Sequence, residues 1–202
     1  MQVAEWTSNT KSLHVMLGSP HHANEEREVN DFYATDPRAL ELLLNTEKFD
    51  LNVWEPACGK GHLSEVLKNR GHTVRSTDLI DRGYGEGGVD FLQCTEKFNG
   101  DVITNPPYKY AQQFVEHAIE RIPDGHKVAM FLKLTFLESQ RRRELFEKHP
   151  PEYIYVSSSR LRCAIGGDFE KYEQGGCSTA IAYAWFIWRK GFTGEPRVRW
   201  FN

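Results

Sequence analysis

The tetrapeptide Asn105-Pro106-Pro107-Tyr108 contains the residues of this sequence that are best suited to chemistry. The Asn105 side-chain oxygen and the Pro106 carbonyl can each accept a hydrogen bond from an amine, which draws a conjugated nitrogen towards tetrahedral geometry and aims its lone pair at an electrophilic methyl group. The two prolines fix φ and carry no N–H, so the turn is stiff and presents acceptors without competing donors. Tyr108 offers a flat face to a planar substrate. The pattern predicts a catalytic turn, and the simpler alternative is an ordinary turn that ends a strand.

The residues around the tetrapeptide predict where it lies in the fold. A short apolar run over 101–104 precedes it, and apolar residues at helical spacing follow it between 110 and 121. The predicted order is strand, catalytic turn, helix. Ligands of open α/β sheets bind at the carboxyl ends of the strands, which is where this turn would lie.

A second strand, turn and helix is predicted upstream, where residues 51–54 lead into the run Glu-Pro-Ala-Cys-Gly-Lys-Gly at 55–61. Its two glycines permit a tight turn and the close approach of a ligand to the backbone. A dinucleotide fingerprint would need a third glycine where Ser64 stands, which disfavours NAD. A third strand over 73–77 ends in Asp78, where a carboxylate can accept hydrogen bonds from ribose hydroxyls or can simply face solvent.

Asp90 and Phe91 follow a glycine-rich loop over 82–88. They could place a carboxylate and an aromatic ring beside an adenine. The alternative is a short edge strand with a core phenylalanine.

From about Glu26 to the C-terminus, these motifs resemble class I S-adenosylmethionine-dependent amino methyltransferases, most closely the small N6-adenine DNA methyltransferases of phages and prophages. The resemblance implies catalytic roles for Asn105, Pro106, Pro107 and Tyr108, and it implies cofactor-binding roles for Glu55, Ala57, Gly59, Gly61, Asp78, Asp90 and Phe91. Segments 133–138 and 183–188 also resemble the family, and their apolar character assigns them first to packing.

Residues 30–37 resemble the family segment that precedes the first helix and touches the methionine moiety of the cofactor. By that similarity Tyr33 and Thr35 are cofactor-binding candidates. Local chemistry offers another role, because either Thr35 or Asp36 before Pro37 is a good helix start. Thr35 could serve in both ways.

The activity that the resemblance implies is methyl transfer from S-adenosyl-L-methionine to adenine N6 in DNA, with the base flipped out or already single-stranded. An RNA-adenine or protein-glutamine methyltransferase would use the same tetrapeptide, and a non-catalytic cofactor-binding module is the contrasting class. The chain has no long insertion resembling a large target-recognition domain, which argues against strict sequence specificity. Protection of phage DNA and regulation are both implied as purposes.

The expected fold is α/β: a Rossmann-like, seven-stranded, mostly parallel sheet with helices on both faces and an antiparallel C-terminal strand. The strand candidates lie near 51–55, 73–77, 89–92, 101–104, 126–132, 153–157 and 180–189. A closing run at 197–201 could pair with the last of these as an antiparallel hairpin.

The composition fits one intracellular domain. Residues 29–202 are predicted to form a single methyltransferase domain after a loosely ordered polar segment at 1–28. The sequence shows no apolar stretch of membrane-spanning length and no signal-peptide pattern, so a cytoplasmic protein is expected. Its four cysteines are widely spaced and no metal site is predicted.

The charge distribution bears on a nucleic-acid partner. The net charge of −3 speaks against one, but the stretch 121–162 holds nine Lys and Arg against five Asp and Glu. Arg141, Arg142 and Arg143, with Arg160 and Arg162, could neutralise phosphates, or could form a solvated face. The glycine-rich stretch 157–179 is predicted to close over the substrate or to read flanking bases.

Overall fold

The computed structural model of the chain describes residues 33–159, 161, 163–165 and 181–201. The described helices are α1 (Pro37–Thr46), α2 (His62–Asn69), α3 (Ala111–Arg121) and α4 (Arg143–Lys148). The described strands are β1 (Tyr33–Thr35), β2 (Asn52–Glu55), β3 (Thr73–Ser76), β4 (Asp101–Thr104), β5 (Lys127–Lys133), β6 (Tyr153–Val156), β7 (Cys163–Ile165), β8 (Tyr183–Arg189) and β9 (Arg197–Trp200). The predicted polar segment at 1–28 lies outside the described residues.

Seven of these strands form one sheet in the order β3-β2-β4-β5-β8-β6-β9. Strands β3, β2, β4 and β5 are parallel, β8 runs antiparallel to β5 and β6, and β9 is parallel to β6. The expected mostly parallel sheet with an antiparallel strand near the C-terminus is confirmed. The carboxyl ends of β2, β3, β4 and β5 consequently meet at one edge.

Alternate residues of the central strands face two separate cores. On β5, Val128 and Met130 pack with α3, whereas Ala129 and Phe131 pack with α1 and α2 on the other face. All four side chains are fully buried. Continuous apolar strands are expected in a sheet that helices cover on both sides, and the two helical layers here pack against opposite faces of the sheet.

A second, two-stranded sheet lies beside the main one. Strand β1 pairs antiparallel with β7, with Thr35 opposite Cys163. The side chains of Tyr33 and of β7 lie outside the described part of the chain, so the predicted role of Tyr33 stays a prediction.

Two strand predictions were wrong. Residues 89–92 form no strand, because the Asp90 carboxylate accepts a hydrogen bond from the Leu92 N–H (3.0 Å) and starts a 3-10 turn at Phe91–Gln93. The run at 197–201 does not pair with β8, because both edges of β8 are already occupied by β5 and β6. It adds to β6 instead, so the seventh strand of the sheet is β9.

Two of the three consecutive arginines at 141–143 make side-chain contacts within the protein. The Arg142 guanidinium donates hydrogen bonds to the carbonyls of Phe136 (2.6 Å), Thr135 (3.1 Å) and Glu138 (3.0 Å), and Arg143 pairs with Glu147 (2.6 Å). Arg141 is exposed. Arg160, Arg162 and most of the predicted closing stretch 157–179 lie outside the described residues.

No helix within the described ranges is both long and apolar enough to span a membrane.

Candidate active site

A cavity of about 580 Å³ lies at the carboxyl edge, where the loops after β2, β3 and β4 converge. Most of the predicted site residues line it: Thr35, Glu55, Ala57, Asp78, Asp90, Phe91, Asn105, Pro106, Pro107 and Tyr108. The predicted residues Gly59 and Gly61 are buried in the loop between β2 and α2 and are not among the residues that line the cavity. Within the described residues, no group of three or more His, Cys, Asp or Glu is arranged to hold a metal ion.

The loop between β2 and α2 is held by hydrogen bonds to the neighbouring strand. The Cys58 N–H donates to the Thr77 carbonyl (3.0 Å), and the Gly59 N–H donates to the Asp78 carboxylate (2.8 Å). The second Asp78 oxygen accepts from the Ile80 N–H (2.9 Å). Asp78 therefore joins the two loops and lines the cavity with lone pairs that remain for a ligand, since each carboxylate oxygen can accept twice.

Gly61 carries the backbone requirement of this loop. Its φ is +84°, and a Cβ placed there would lie 2.5 Å from the ring of Tyr84. The Tyr84 hydroxyl donates to Glu65 (2.6 Å) and accepts from Lys68 (2.7 Å), both on α2. The Tyr84 ring thus occupies the space that a Cβ at position 61 would need, so the start of α2 requires glycine there. Sequence reasoning missed Tyr84, because only the folded chain brings the loop after β3 against this helix.

Glu55 is the most strongly perturbed carboxyl group of the cavity. It is 2% exposed, and burial raises its pKa to about 8, although hydrogen bonds from the side chain and backbone of Ser64 act to lower it. The Ser64 hydroxyl donates to Glu55 and lies 2.6 Å from the Ser76 hydroxyl. Ser64, the residue that breaks the dinucleotide fingerprint, therefore supports a buried carboxyl group.

The tetrapeptide after β4 enters the cavity as a stiff turn. Pro106 is buried, Asn105 is half-buried with a buried side-chain oxygen, and both line the cavity. The Pro107 carbonyl accepts from the Tyr110 N–H (2.9 Å), which starts the 3-10 turn Tyr108–Tyr110 ahead of α3. The predicted order of strand, turn and helix is confirmed.

Tyr108 is packed from the side of β5 and β8. Its ring centroid lies 6.0 Å from that of Tyr183 and 4.8 Å from the Lys133 ammonium group. The ring is half-buried and lines the cavity. Sequence reasoning did not foresee that Lys133, at the end of β5, places a positive charge over this ring.

Of the two residues that could start α1, Asp36 caps the helix and Thr35 lines the cavity. The Asp36 carboxylate accepts from the Arg38 N–H (3.0 Å) and caps α1, with Pro37 as the first helical residue. Thr35 is 2% exposed and lines the cavity, and its hydroxyl forms no hydrogen bond with any described residue. Such a group is costly to bury unless a ligand or water satisfies it.

Asp90 and Phe91 reach the cavity from the 3-10 turn. Phe91 is also a core residue, with its ring 5.1 Å from Trp54 and 5.0 Å from Phe114. Asp90 is exposed and caps the turn. Both the binding and the packing interpretation are therefore compatible with where Phe91 lies.

Two further titratable groups line the cavity and were not predicted. Burial raises the pKa of the Cys58 thiol to about 12, and the neighbouring Glu55 and Asp78 act in the same direction. Burial lowers the pKa of His62, and Lys60 lowers it further. Both side chains are accordingly neutral at physiological pH.

No protein-family model and no curated protein matches the sequence. Solved structures do match. A candidate class I S-adenosylmethionine-dependent methyltransferase from Listeria monocytogenes has a TM-score of 0.58 and 14% identity, with 94% of this chain and 71% of that chain covered. A candidate RNA methyltransferase from Pyrococcus horikoshii has a TM-score of 0.54 and 16% identity, with 91% and 100% covered. A candidate O-methyltransferase from Agrobacterium tumefaciens has a TM-score of 0.52 and 13% identity, with 82% and 84% covered.

The chain therefore has the Rossmann-like fold of class I methyltransferases. At these identities the likeness concerns the fold, and the acceptors named for these proteins differ from one another. The acceptor of this chain has to be argued from its own site.

Proposed function

We propose that this protein is an S-adenosylmethionine-dependent methyltransferase that modifies the N6 amino group of adenine in DNA. The observation that carries the proposal is the cavity itself. The catalytic turn after β4 lines the same 580 Å³ space as Glu55 and Asp78, which follow β2 and β3. A methyl donor held by the second group would lie beside an amine held by the first.

The residues of the cavity fit this cofactor. Asp78 keeps lone pairs for ribose hydroxyls, and Ala57 and Cys58 of the loop between β2 and α2 line the cavity beside it. The buried Thr35 hydroxyl needs a polar partner, and Phe91 offers an apolar wall to an adenine ring. When bound, S-adenosylmethionine supplies the electrophilic methyl group.

The tetrapeptide would prepare the amine. The Asn105 side-chain oxygen and the Pro106 carbonyl would each accept a hydrogen bond from one N–H of the amine, so that the nitrogen lone pair is less shared with the ring and no strong base is needed. Tyr108 stacks on the planar acceptor. Holding the two partners side by side supplies much of the rate enhancement.

The choice of adenine in DNA rests on the resemblance of residues 26–202 to small phage N6-adenine methyltransferases and on the cation near Tyr108. A base in a duplex is hidden by stacking, so it must be flipped out or lie in a single strand. The Lys133 ammonium group, 4.8 Å from the Tyr108 ring, suits an acceptor that brings phosphates with it.

One assay tests the proposal. Purified protein is incubated with labelled cofactor and, in parallel reactions, with unmethylated genomic DNA, with RNA or with protein acceptors, and the nucleic acids are digested to nucleosides so that the methylated base is identified. N6-methyl-2′-deoxyadenosine from the DNA is the expected product. Label found instead in RNA or in a protein glutamine would replace DNA as the substrate. Calorimetric cofactor binding with no transfer to any acceptor would indicate a non-catalytic module.

Asn105→Ala is expected to lower turnover by at least about a hundredfold, the usual effect of losing one such acceptor or donor. Cofactor binding, measured by calorimetry, should change little. Asn69→Ala, at an exposed position at the end of α2, is the matched control and should keep full activity. Near-normal turnover of Asn105→Ala would contradict the assignment of the catalytic turn.

A further inference from the structure

Two acidic side chains of the cavity, Glu55 and Asp78, form no ion pair with a described residue. Both line the cavity, and in the described part of the chain no Lys, Arg or His forms an ion pair with either. Asp78 accepts from two backbone N–H groups, whereas among residues 33–159, 161, 163–165 and 181–201 the Glu55 carboxyl group receives hydrogen bonds from Ser64 alone. A buried carboxylate without a cation is costly, and protonation removes the cost.

The other charged groups near Glu55 form no ion pair with it, and the attraction of Lys68, which acts to lower its pKa, is outweighed by burial. On α2, His62 is neutral because burial lowers its pKa, and the Lys68 ammonium group is bound at the surface to Tyr84 (2.7 Å) and Glu65 (3.4 Å). On the glycine loop, Cys58 is neutral because burial raises the pKa of its thiol. The Asp78 charge after β3 adds repulsion. Arg82 and Lys109 line the cavity but form no ion pair with Glu55.

We propose that Glu55 is protonated in the empty cavity and gives up its proton when the positively charged methyl donor binds. This inference rests on the proposed function. S-adenosylmethionine carries a sulfonium and an ammonium group against one carboxylate, a net charge of +1, whereas its demethylated product has lost the sulfonium charge and is neutral overall. The Glu55 O–H bond breaks, the electron pair stays on the carboxylate, and the proton passes to the buffer.

Glu55 is by this argument a specificity-determining residue for the cofactor. Ionised Glu55 balances the donor's extra charge, and because the side chain is buried, this interaction is stronger than it would be in water. Binding of the neutral product brings no extra positive charge, so it does not offset the free energy needed to ionise Glu55. The cavity therefore favours donor over product, and the preference grows as pH rises towards 9, where less work is needed to remove the proton.

The test is calorimetric and needs no turnover. Binding of S-adenosylmethionine at pH 7 is measured in buffers of different ionisation enthalpy, and the dependence of the heat on the buffer counts the protons released. The wild type should release roughly one proton more than Glu55→Gln, because the amide has none to lose. Comparing the two proteins separates the Glu55 proton from any that the cofactor itself exchanges. The wild-type excess should largely vanish at pH 9 and with S-adenosylhomocysteine.

Glu65→Gln is the matched control. It makes the same chemical change on α2, but Glu65 is exposed and hydrogen bonds from Tyr84 and Lys68 lower its pKa, so it is already ionised. It should release as many protons as the wild type. Equal release by the wild type and Glu55→Gln would overturn the inference and leave the proposed function standing. Absence of any binding of S-adenosylmethionine would overturn both.

Discussion

Gly61 combines two constraints that act on one residue. Its φ of +84° lies in the left-handed region, and its missing Cβ makes room for the Tyr84 ring, 2.5 Å from where that atom would lie. The first constraint costs any L-residue about 1–2 kcal/mol, and overpacking typically adds about 1–3 kcal/mol. The two contributions can be separated by experiment.

Gly61→Ala is expected to lower the free energy of unfolding by about 3 kcal/mol, measured by urea denaturation. Removing the ring in Tyr84→Ala should make the same glycine substitution cheaper, at about 1 kcal/mol, because only the backbone strain is left.

Gly71→Ala is the control for the backbone contribution. Gly71 has a similar φ of +90°, but a Cβ added there would meet no atom within 4 Å, so about 1 kcal/mol should be lost. If Gly61→Ala costs no more than Gly71→Ala, Tyr84 does not press on the loop.

The residues of the site that the sequence predicted are those whose role depends on local order. The glycine loop, Asp78 and the tetrapeptide each follow a strand, and parallel strands bring their carboxyl ends together, so their meeting could be foreseen. Tyr84 and Lys133 could not be foreseen, because each reaches the site through contacts between distant segments. The raised pKa of Glu55 is likewise a result of burial, which residue spacing does not reveal.

At the scale of elements, β9 is the part of the sheet that departs from the expected arrangement. A hairpin of β8 and β9 was expected, because only a short connection separates the two strands in the sequence. The Glu152 carboxylate, just before β6, instead accepts hydrogen bonds from Arg189 at the end of β8 (2.7 Å) and from Arg197 at the start of β9 (2.9 Å). These contacts hold β9 on the outer edge of β6, where a pairing edge is open.

The error at 89–92 has a similar origin. An apolar pair after a glycine-rich loop fits a strand, but the Asp90 side chain satisfies a backbone N–H locally and so competes with sheet pairing. Of the longer strands with continuous apolar runs, β5 was predicted to within one residue at each end, and β8 was predicted to its last residue but begins three residues later than expected. A single side chain can determine the secondary structure of a short segment, whereas that of a long apolar segment follows from its hydrophobic pattern.

Two neighbouring aromatic residues test how β9 is anchored. Phe201 is 2% exposed, with its ring 5.9 Å from that of Tyr155, whereas Trp200 is 68% exposed. Phe201→Ala should therefore cost about 3 kcal/mol of unfolding free energy and Trp200→Ala less than about 0.5 kcal/mol, by urea denaturation. Similar losses for both would mean that Phe201 does not close the core.

At the scale of the whole molecule, the two helical layers stabilise a sheet whose carboxyl edge holds the cavity and its buried acid. Most of the folding energy comes from apolar residues that do not titrate, such as Phe131 and Phe186. Burial of Glu55 works against this, because desolvation of the ionised form outweighs both the hydrogen bonds from Ser64 and the attraction of Lys68. The free energy of unfolding of the cofactor-free protein should therefore depend on pH.

The sign of this dependence follows from the pKa of Glu55, which burial raises from 4.5 to about 8. The folded state binds the proton more tightly, so the stabilisation is complete below pH 4.5 and is lost as pH rises through 8. The Glu55→Gln side chain cannot ionise. Between pH 5 and 8 the free energy of unfolding of the wild type should therefore fall by a few kcal/mol relative to that of Glu55→Gln. Effects of the histidines cancel in the comparison, and Glu65→Gln should run parallel to the wild type. Chemical denaturation at each pH measures the difference. A constant difference between Glu55→Gln and the wild type across this range would mean that Glu55 is already ionised in the folded, cofactor-free protein.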